Sequence, residues 1–270
     1  MQLRIGYEMV YECPSPTPMI LMLNVHFSRV SDLVQPDYII TDPQIPMSSY
    51  RDGFGNWCSR IVAPAGELKL STLAIIRDTG LADARDPTAQ QHPVEDLPEE
   101  TLVFLLGSRY CEVDRLSPFA WQMFGGIEPG WPRVQAISDF VHKHITFGYA
   151  FARPSKTAWE AYQEGSGVCR DYAHLGVALC RSMNIPARYC TGYLGDVGVP
   201  IADAPMDFAG WFEVYVGGRW YTVDPRNGVP RIGRVLMARG RDAADVALTT
   251  TFGPNLLKRF KVITDEIPAN

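Results

Sequence analysis

The sequence predicts an α+β protein, with an N-terminal β-rich domain followed by a region that mixes helices with strands. Three observations carry this. Leu3, Ile5, Tyr7 and Met9 alternate with polar residues, and Leu21, Leu23, Val25 and Phe27 repeat that period of two. Val134, Ile137 and Val141 fall at i, i+3 and i+7 behind Trp131-Pro132, which predicts an amphipathic helix near 132–145. Trp211–Val216 and Trp220–Val223 flank Gly217-Gly218, the pattern of a β-hairpin.

Taken in order, residues 1–80 read as the β-domain, a sandwich. Asp52-Gly53-Phe54-Gly55-Asn56 marks a turn, and a strand begins at Leu68. Residues 78–100 hold seven acids against one arginine and three prolines, so 81–100 is expected to be a linker or surface loop. Residues 101–270 form the second unit. Within it Cys169, Ala173, Gly176 and Cys180 make a stripe of small residues at helical spacing, suited to close packing. Ile185-Pro186 stops that helix, and residues 187–193 read as a strand. From Arg226 to Lys261 there are eight Lys/Arg against two Asp, expected to form a solvated basic face.

Composition narrows the function classes. The 270 residues are 46% hydrophobic and 20% charged, which supports a normal core and excludes general disorder. A net charge of −5 argues against a nucleic-acid partner. No apolar run approaches the ~18 residues of a membrane span, and the N-terminus reads as a strand rather than a signal peptide. The six cysteines form no CxxC pair, so neither a zinc ribbon nor a thioredoxin motif is present; no cofactor or metal is expected, and the thiols should be reduced in a cytoplasmic protein.

The chemistry-bearing motif is Gly165-Ser166-Gly167-Val168-Cys169-Arg170-Asp171. Its glycines free the backbone for a turn before a helix starting at or near Cys169. A thiol in a first helical turn meets unpaired N–H groups and the positive end of the helix dipole, both of which favour thiolate. The alternative is a buried, inert cysteine, the reading given to Cys180 and Cys190.

The stretch GVCRDYAHLGVALCRSMNIPARYCTGYL and the later MDFAGWFEVYVGGRWYTVDPRN resemble the bacterial transglutaminase-like superfamily, related to papain-type cysteine enzymes. The resemblance is dense over about 155–240. It implies a papain-like core of helices packed on an antiparallel sheet, with the β-domain that often precedes it in bacterial members. It also implies a catalytic Cys at a helix N-terminus, matched by Cys169, and an Asp on a strand, matched by Asp224. Between them the family reads His-Ala-Trp-x-Glu, where this chain has Ala209-Gly210-Trp211-Phe212-Glu213. Ala209 therefore stands at the base position.

No histidine follows His174, so no shift of alignment within 175–270 restores the base. His174 lies five residues beyond Cys169, about 140° round the helix and about 7.5 Å along it, out of hydrogen-bond reach. His142 and His144 point to different helix faces, His92 sits in the linker, and His26 is expected on a strand. Without an imidazolium, Asp224 adds a negative charge near Cys169 and opposes its ionisation, unless Arg170 or Arg188 turns inward.

Two functions follow. One is a cysteine peptidase, amidase or acyltransferase, in which Cys169 attacks a carboxamide and helix N–H groups hold the oxyanion, with impaired or altered catalysis. The other is an inactive relative that binds a peptide or protein partner, with Tyr193, Trp211 and Trp220 as candidate contacts, or else as core aromatics. Loops such as 194–206 would set specificity; the sequence names no substrate or oligomeric state.

Overall fold

A computed structural model describes residues 1–201 and 205–268, so 202–204 of the specificity loop lie outside the described residues. The chain runs through β1 (Gln2–Cys13), β2 (Thr17–Leu21), β3 (Leu33–Gln35), β4 (Ile40–Asp42), β5 (Ser48–Arg51), β6 (Trp57–Ala63) and β7 (Gly66–Arg77). It continues with α1 (Glu99–Leu102), α2 (Val113–Phe124), α3 (Trp131–His144), β8 (Thr146–Phe147), α4 (Ala158–Glu164), β9 (Ser166–Gly167) and α5 (Cys169–Ser182). The final strands are β10 (Ala187–Leu194), β11 (Ala209–Val216), β12 (Arg219–Val223), β13 (Arg234–Gly240), β14 (Thr249–Thr251) and β15 (Leu256–Ile267).

Two antiparallel sheets make the expected sandwich. One has the order β15-β1-β7-β3, with β4 also on β7; the other is β14-β2-β6-β5. The alternating residues of β1 meet Met19, Leu21, Ile61 and Ala63 of the facing sheet in one apolar core. The sandwich is not made by the first 80 residues alone. β15 pairs along the whole of β1, from Gln2↔Ile267 to Glu12↔Leu256, and β14 pairs with β2. The unit drawn as 101–270 therefore gives its last strands to the N-terminal sheets, because β1 and β2 would otherwise present open hydrogen-bonding edges.

The linker is also more than a tether. Ala89 is buried, its carbonyl accepts from Trp131 N, and Gln90 O accepts from Gly217 N. His26 is not on a strand; it caps a 3₁₀ turn over Phe27–Asp32, accepting from Ser28 N at Nδ1.

The second unit packs α5 across the sheet β12-β11-β10-β13. All residues of α5 from Asp171 to Ser182 are buried, between α2, α3 and α4 on one side and β10–β11 on the other. Gly176 makes this approach possible, since a Cβ there would lie 2.4 Å from the Phe212 ring. Strand parity then sorts β11. Phe212, Val214 and Val216 face the helices, whereas Trp211 joins Cys190 and Leu236 on the opposite side. Tyr193, Val235 and Met237 of this sheet belong to the sandwich core, which joins the two units.

Candidate active site

Cys169 owes its position to the elements on either side of it. Thr157 and Glu160 cap α4 reciprocally, Thr157 N donating to the Glu160 carboxylate and Glu160 N to Thr157 Oγ1. Gly165, at φ 60°, ends that helix in the left-handed region. Ser166 and Gly167 then pair in parallel with Thr146 and Phe147. The Asp171 carboxylate accepts from Val168 N at 2.9 Å and starts α5 with Cys169 as its first residue. Gly167 has to be glycine, because a Cβ would come within 2.6 Å of that carboxylate.

The half-buried Cys169 lies where two cavities meet, of about 100 and 710 Å³. Both are also lined by Asp207, Phe208, Ala209 and Gly210. The strand comes this close because Gly210 has no side chain; a Cβ there would sit 2.6 Å from Tyr189 Oη and 3.4 Å from Arg170 Cα. The backbone N–H groups of Gly210 and Arg170 donate toward the Cys169 sulfur. Those hydrogen bonds favour thiolate, but burial and the charges of Asp207 and Asp224 outweigh them and push the thiol up to about 11. Asp207 is itself raised by burial, relieved in part by a bond from Phe208 N.

Among the described residues no imidazole lines either cavity. His174 is buried between the rings of Tyr110 and Tyr189 and accepts from Ala243 N. His142 Nδ1 bonds Pro225 O, His144 Nε2 bonds Tyr162 O, and His92 Nε2 accepts from Gly218 N. Of the two arginines considered as substitute cations, Arg170 borders the larger cavity and Arg188 borders neither. Arg170 donates to Arg153 O, and Arg188 pairs with Glu213 at 2.6 Å and stacks on Trp220.

Asp224 is held by other partners. Its carboxylate accepts from Asn227 N and Nδ2 at 3.1 and 2.7 Å and from Arg234 Nη2 at 3.0 Å. Arg234 in turn binds Asp83 and lies 4.5 Å above the Trp211 ring. The expected basic face is thus partly internal, since Arg231 and Arg234 are buried. Of the two readings of the candidate aromatics, the core one holds for Trp211 and Tyr193. Trp220 is covered by Arg188, while Tyr110, Phe147, Tyr149 and Phe208 line the cavities. Tyr110, Phe147 and Tyr149 lie outside the stretches that carry the resemblance, whereas Asp207 and Phe208 lie within one of them, just before Ala209, at positions to which the family pattern gives no role.

Among the described residues there is no group of three or more His, Cys, Asp or Glu placed to hold a metal ion, and no helix is long and apolar enough to cross a membrane.

A family model described as the transglutaminase-like superfamily matches residues 118–225. A candidate cysteine protease from Cytophaga hutchinsonii is 30% identical and superposes with a TM-score of 0.84, over 100% of this chain and 92% of that one. The chain belongs to the transglutaminase-like superfamily. An uncharacterized protein of Mycobacterium leprae is 35% identical over 91 residues, which is 33% of this chain and only 32% of that protein's length. The periplasmic domain of TgpA from Pseudomonas aeruginosa is a more distant match, 17% identical with a TM-score of 0.40 over 81% of this chain and 75% of that one.

Proposed function

We propose that this protein is a member of the cysteine peptidase and acyltransferase class in which Cys-His-Asp catalysis is disabled, and that its cleft binds a peptide or protein segment. The observation that carries the reading is the absence of any imidazole from the two cavities at Cys169. A thiol pushed up to about 11 is neutral at pH 7, and no imidazole beside it takes its proton and later protonates a leaving amine. Asp224, the residue that would orient the base, is committed to Arg234 and Asn227. The shape of the site favours a polypeptide over a small amide. Two cavities border Cys169, the larger of about 710 Å³, and aromatic rings line both. All six cysteines are free, which suits a reducing compartment such as the cytoplasm.

The test measures casein hydrolysis, and incorporation of a fluorescent primary amine into casein, by wild type, Cys169→Ala and Ala209→His. Wild type should match Cys169→Ala in both assays. Turnover by wild type that disappears in Cys169→Ala would refute the reading and return the chain to the working enzymes.

A further inference from the structure

Trp211 and Glu213 of β11, Thr222 of β12 and Arg234 of β13 border a third cavity, of about 280 Å³, which lies behind the core sheet as seen from α5. Its polar lining is one-sided. Trp211 is 1% exposed and its Nε1 has no hydrogen-bond partner. Arg234 is 8% exposed; its Nε and Nη2 bind Asp83 and Asp224, but its Nη1 has no partner. Arg231, 7% exposed, likewise has an unpartnered Nε. Arg239 completes the lining, and its guanidinium makes no hydrogen bond or ion pair among the described residues. Only its backbone is fixed, by Asn56 at 2.8 and 2.9 Å.

The acids that border the cavity are already matched. Asp83 accepts from Arg231 N and Arg234, Glu213 from Arg188, and Asp78 from Gly80 N and Arg29. Every unpartnered buried atom in the lining is therefore a donor. Leaving such donors empty costs about 1–3 kcal/mol each, more where the group is charged, so their occupant has to supply acceptor oxygens. The unpaired Arg239 favours a negatively charged occupant.

We propose that this cavity binds a small organic oxyanion, a carboxylate or phosphate ester, seated on Trp211 Nε1, Arg234 Nη1 and the Arg239 guanidinium. Its volume is close to the small end of ligand pockets, about 300 Å³, and exceeds what a bare inorganic ion needs. Exposed Leu81 is part of the lining, so the space communicates with solvent. Arg231 is the one lining residue that the cavity shares with the Cys169 cleft, and the proposal does not rest on the reading of that cleft.

Isothermal titration with citrate and with inorganic phosphate tests the proposal on the full chain at fixed ionic strength. At least one anion should bind saturably with a single-site stoichiometry, and the preference between them identifies the headgroup class. Arg239→Gln should weaken binding about tenfold or more without lowering the Tm of the free protein, because this side chain makes no structural bond. Trp211→Phe should weaken it through loss of one donor, whereas Cys169→Ala and the exposed Lys258→Gln should leave it unchanged. No saturable heat with either anion would overturn the proposal and assign the donors to water. Equal weak binding to wild type and Arg239→Gln would overturn it as well.

Discussion

Treating the protein with iodoacetamide between about pH 6 and 11 and mapping the labelled peptides reads the ionisation of Cys169 directly. The other five cysteines are internal controls. Cys13, Cys58, Cys111, Cys180 and Cys190 are each 0% exposed, so labelling of the native protein reports Cys169. With the thiol pushed up to about 11, only about 0.01% is thiolate at pH 7, against roughly 3% for an unperturbed cysteine of pKa about 8.5. That ~300-fold deficit is partly offset because a more basic thiolate is a better nucleophile. A Brønsted slope of about 0.45 over about 2.5 units returns a factor of ~13. Wild type should therefore react about 20-fold more slowly than a free cysteine, with a rate still rising above pH 9. Ala209→His introduces an imidazole at a residue that lines both cavities next to Cys169, on the Trp211 face of β11. If the pair brings the thiol to about 6, full ionisation and lower intrinsic nucleophilicity combine to roughly a 50-fold faster reaction at pH 7, with a flat profile above that point. A wild-type profile already flat and fast at pH 6 would sink the reasoning, since some other cation would then hold the thiolate. A folded Ala209→His variant with the wild-type profile would show that position 209 is not where a base acts.

Three further outcomes are expected. Asp207→Asn removes the largest like charge facing Cys169, so alkylation at pH 8 should quicken about three- to tenfold; an unchanged rate would place that charge too far away to matter. Gly210→Ala drives a Cβ to 2.6 Å from Tyr189 Oη and should cost about 1–3 kcal/mol in urea denaturation, and adding Tyr189→Phe should recover part of it because the next Tyr189 atom is 3.3 Å away. His26 is buried and lowered to about 3 by desolvation and by Arg239, Arg188 and Arg51, so the unfolded chain binds its proton first. Stability should thus fall as pH drops below 6.5, with a His26 contribution of about 2 kcal/mol lost by pH 5. His26→Asn, which keeps a capping side chain, should flatten that slope in urea titrations at the two pH values.

Cys169 and the hairpin were legible because their determinants are local. Two glycines, a helix dipole and the Gly217-Gly218 turn, with φ of 57° and 78°, act over a few residues. The closure of the sandwich was not legible. β15 has only Val262 and Thr264 buried, so it lacks the alternating signature, and its partner β1 lies at the other end of the chain. The charge segments misled for a related reason. The acidic stretch at 78–100 and the basic stretch at 226–261 each read as solvated, yet Asp83 of the first binds Arg231 N and the Arg234 side chain of the second. Asp83, Arg231 and Arg234 thus form one network drawn from both segments, and periodicity carries no trace of such pairing. Parity decides between the two readings of Trp211, since the positions of β11 that face the helices are 210 and 212 and Trp211 is buried on the other face.

Arg234 also gives Asp224 a cation where no histidine does. A buried carboxylate stripped of its cation would neutralise or destabilise the fold. Here a guanidinium 3.0 Å away supplies the positive charge, and Asp83 and the Trp211 face hold that guanidinium in place. The charge requirement of Asp224 is met on the side of the sheet away from the helices, where it cannot be relayed to Cys169. Restoring the imidazole alone should therefore raise thiol reactivity more than it raises turnover. The histidine of Ala209→His would have to compete for Asp224 Oδ1, which already accepts from Asn227 N, while Oδ2 is shared between Asn227 Nδ2 and Arg234. Asn227→Ala in the Ala209→His background leaves Asn227 N in place but frees Oδ2 of its shortest bond. If casein hydrolysis then rises above that of Ala209→His alone while the alkylation rate stays the same, Asp224 was limited by its partners. If both rates stay the same, the carboxylate is out of reach of position 209, and the two halves of the site have separated in space as well as in charge.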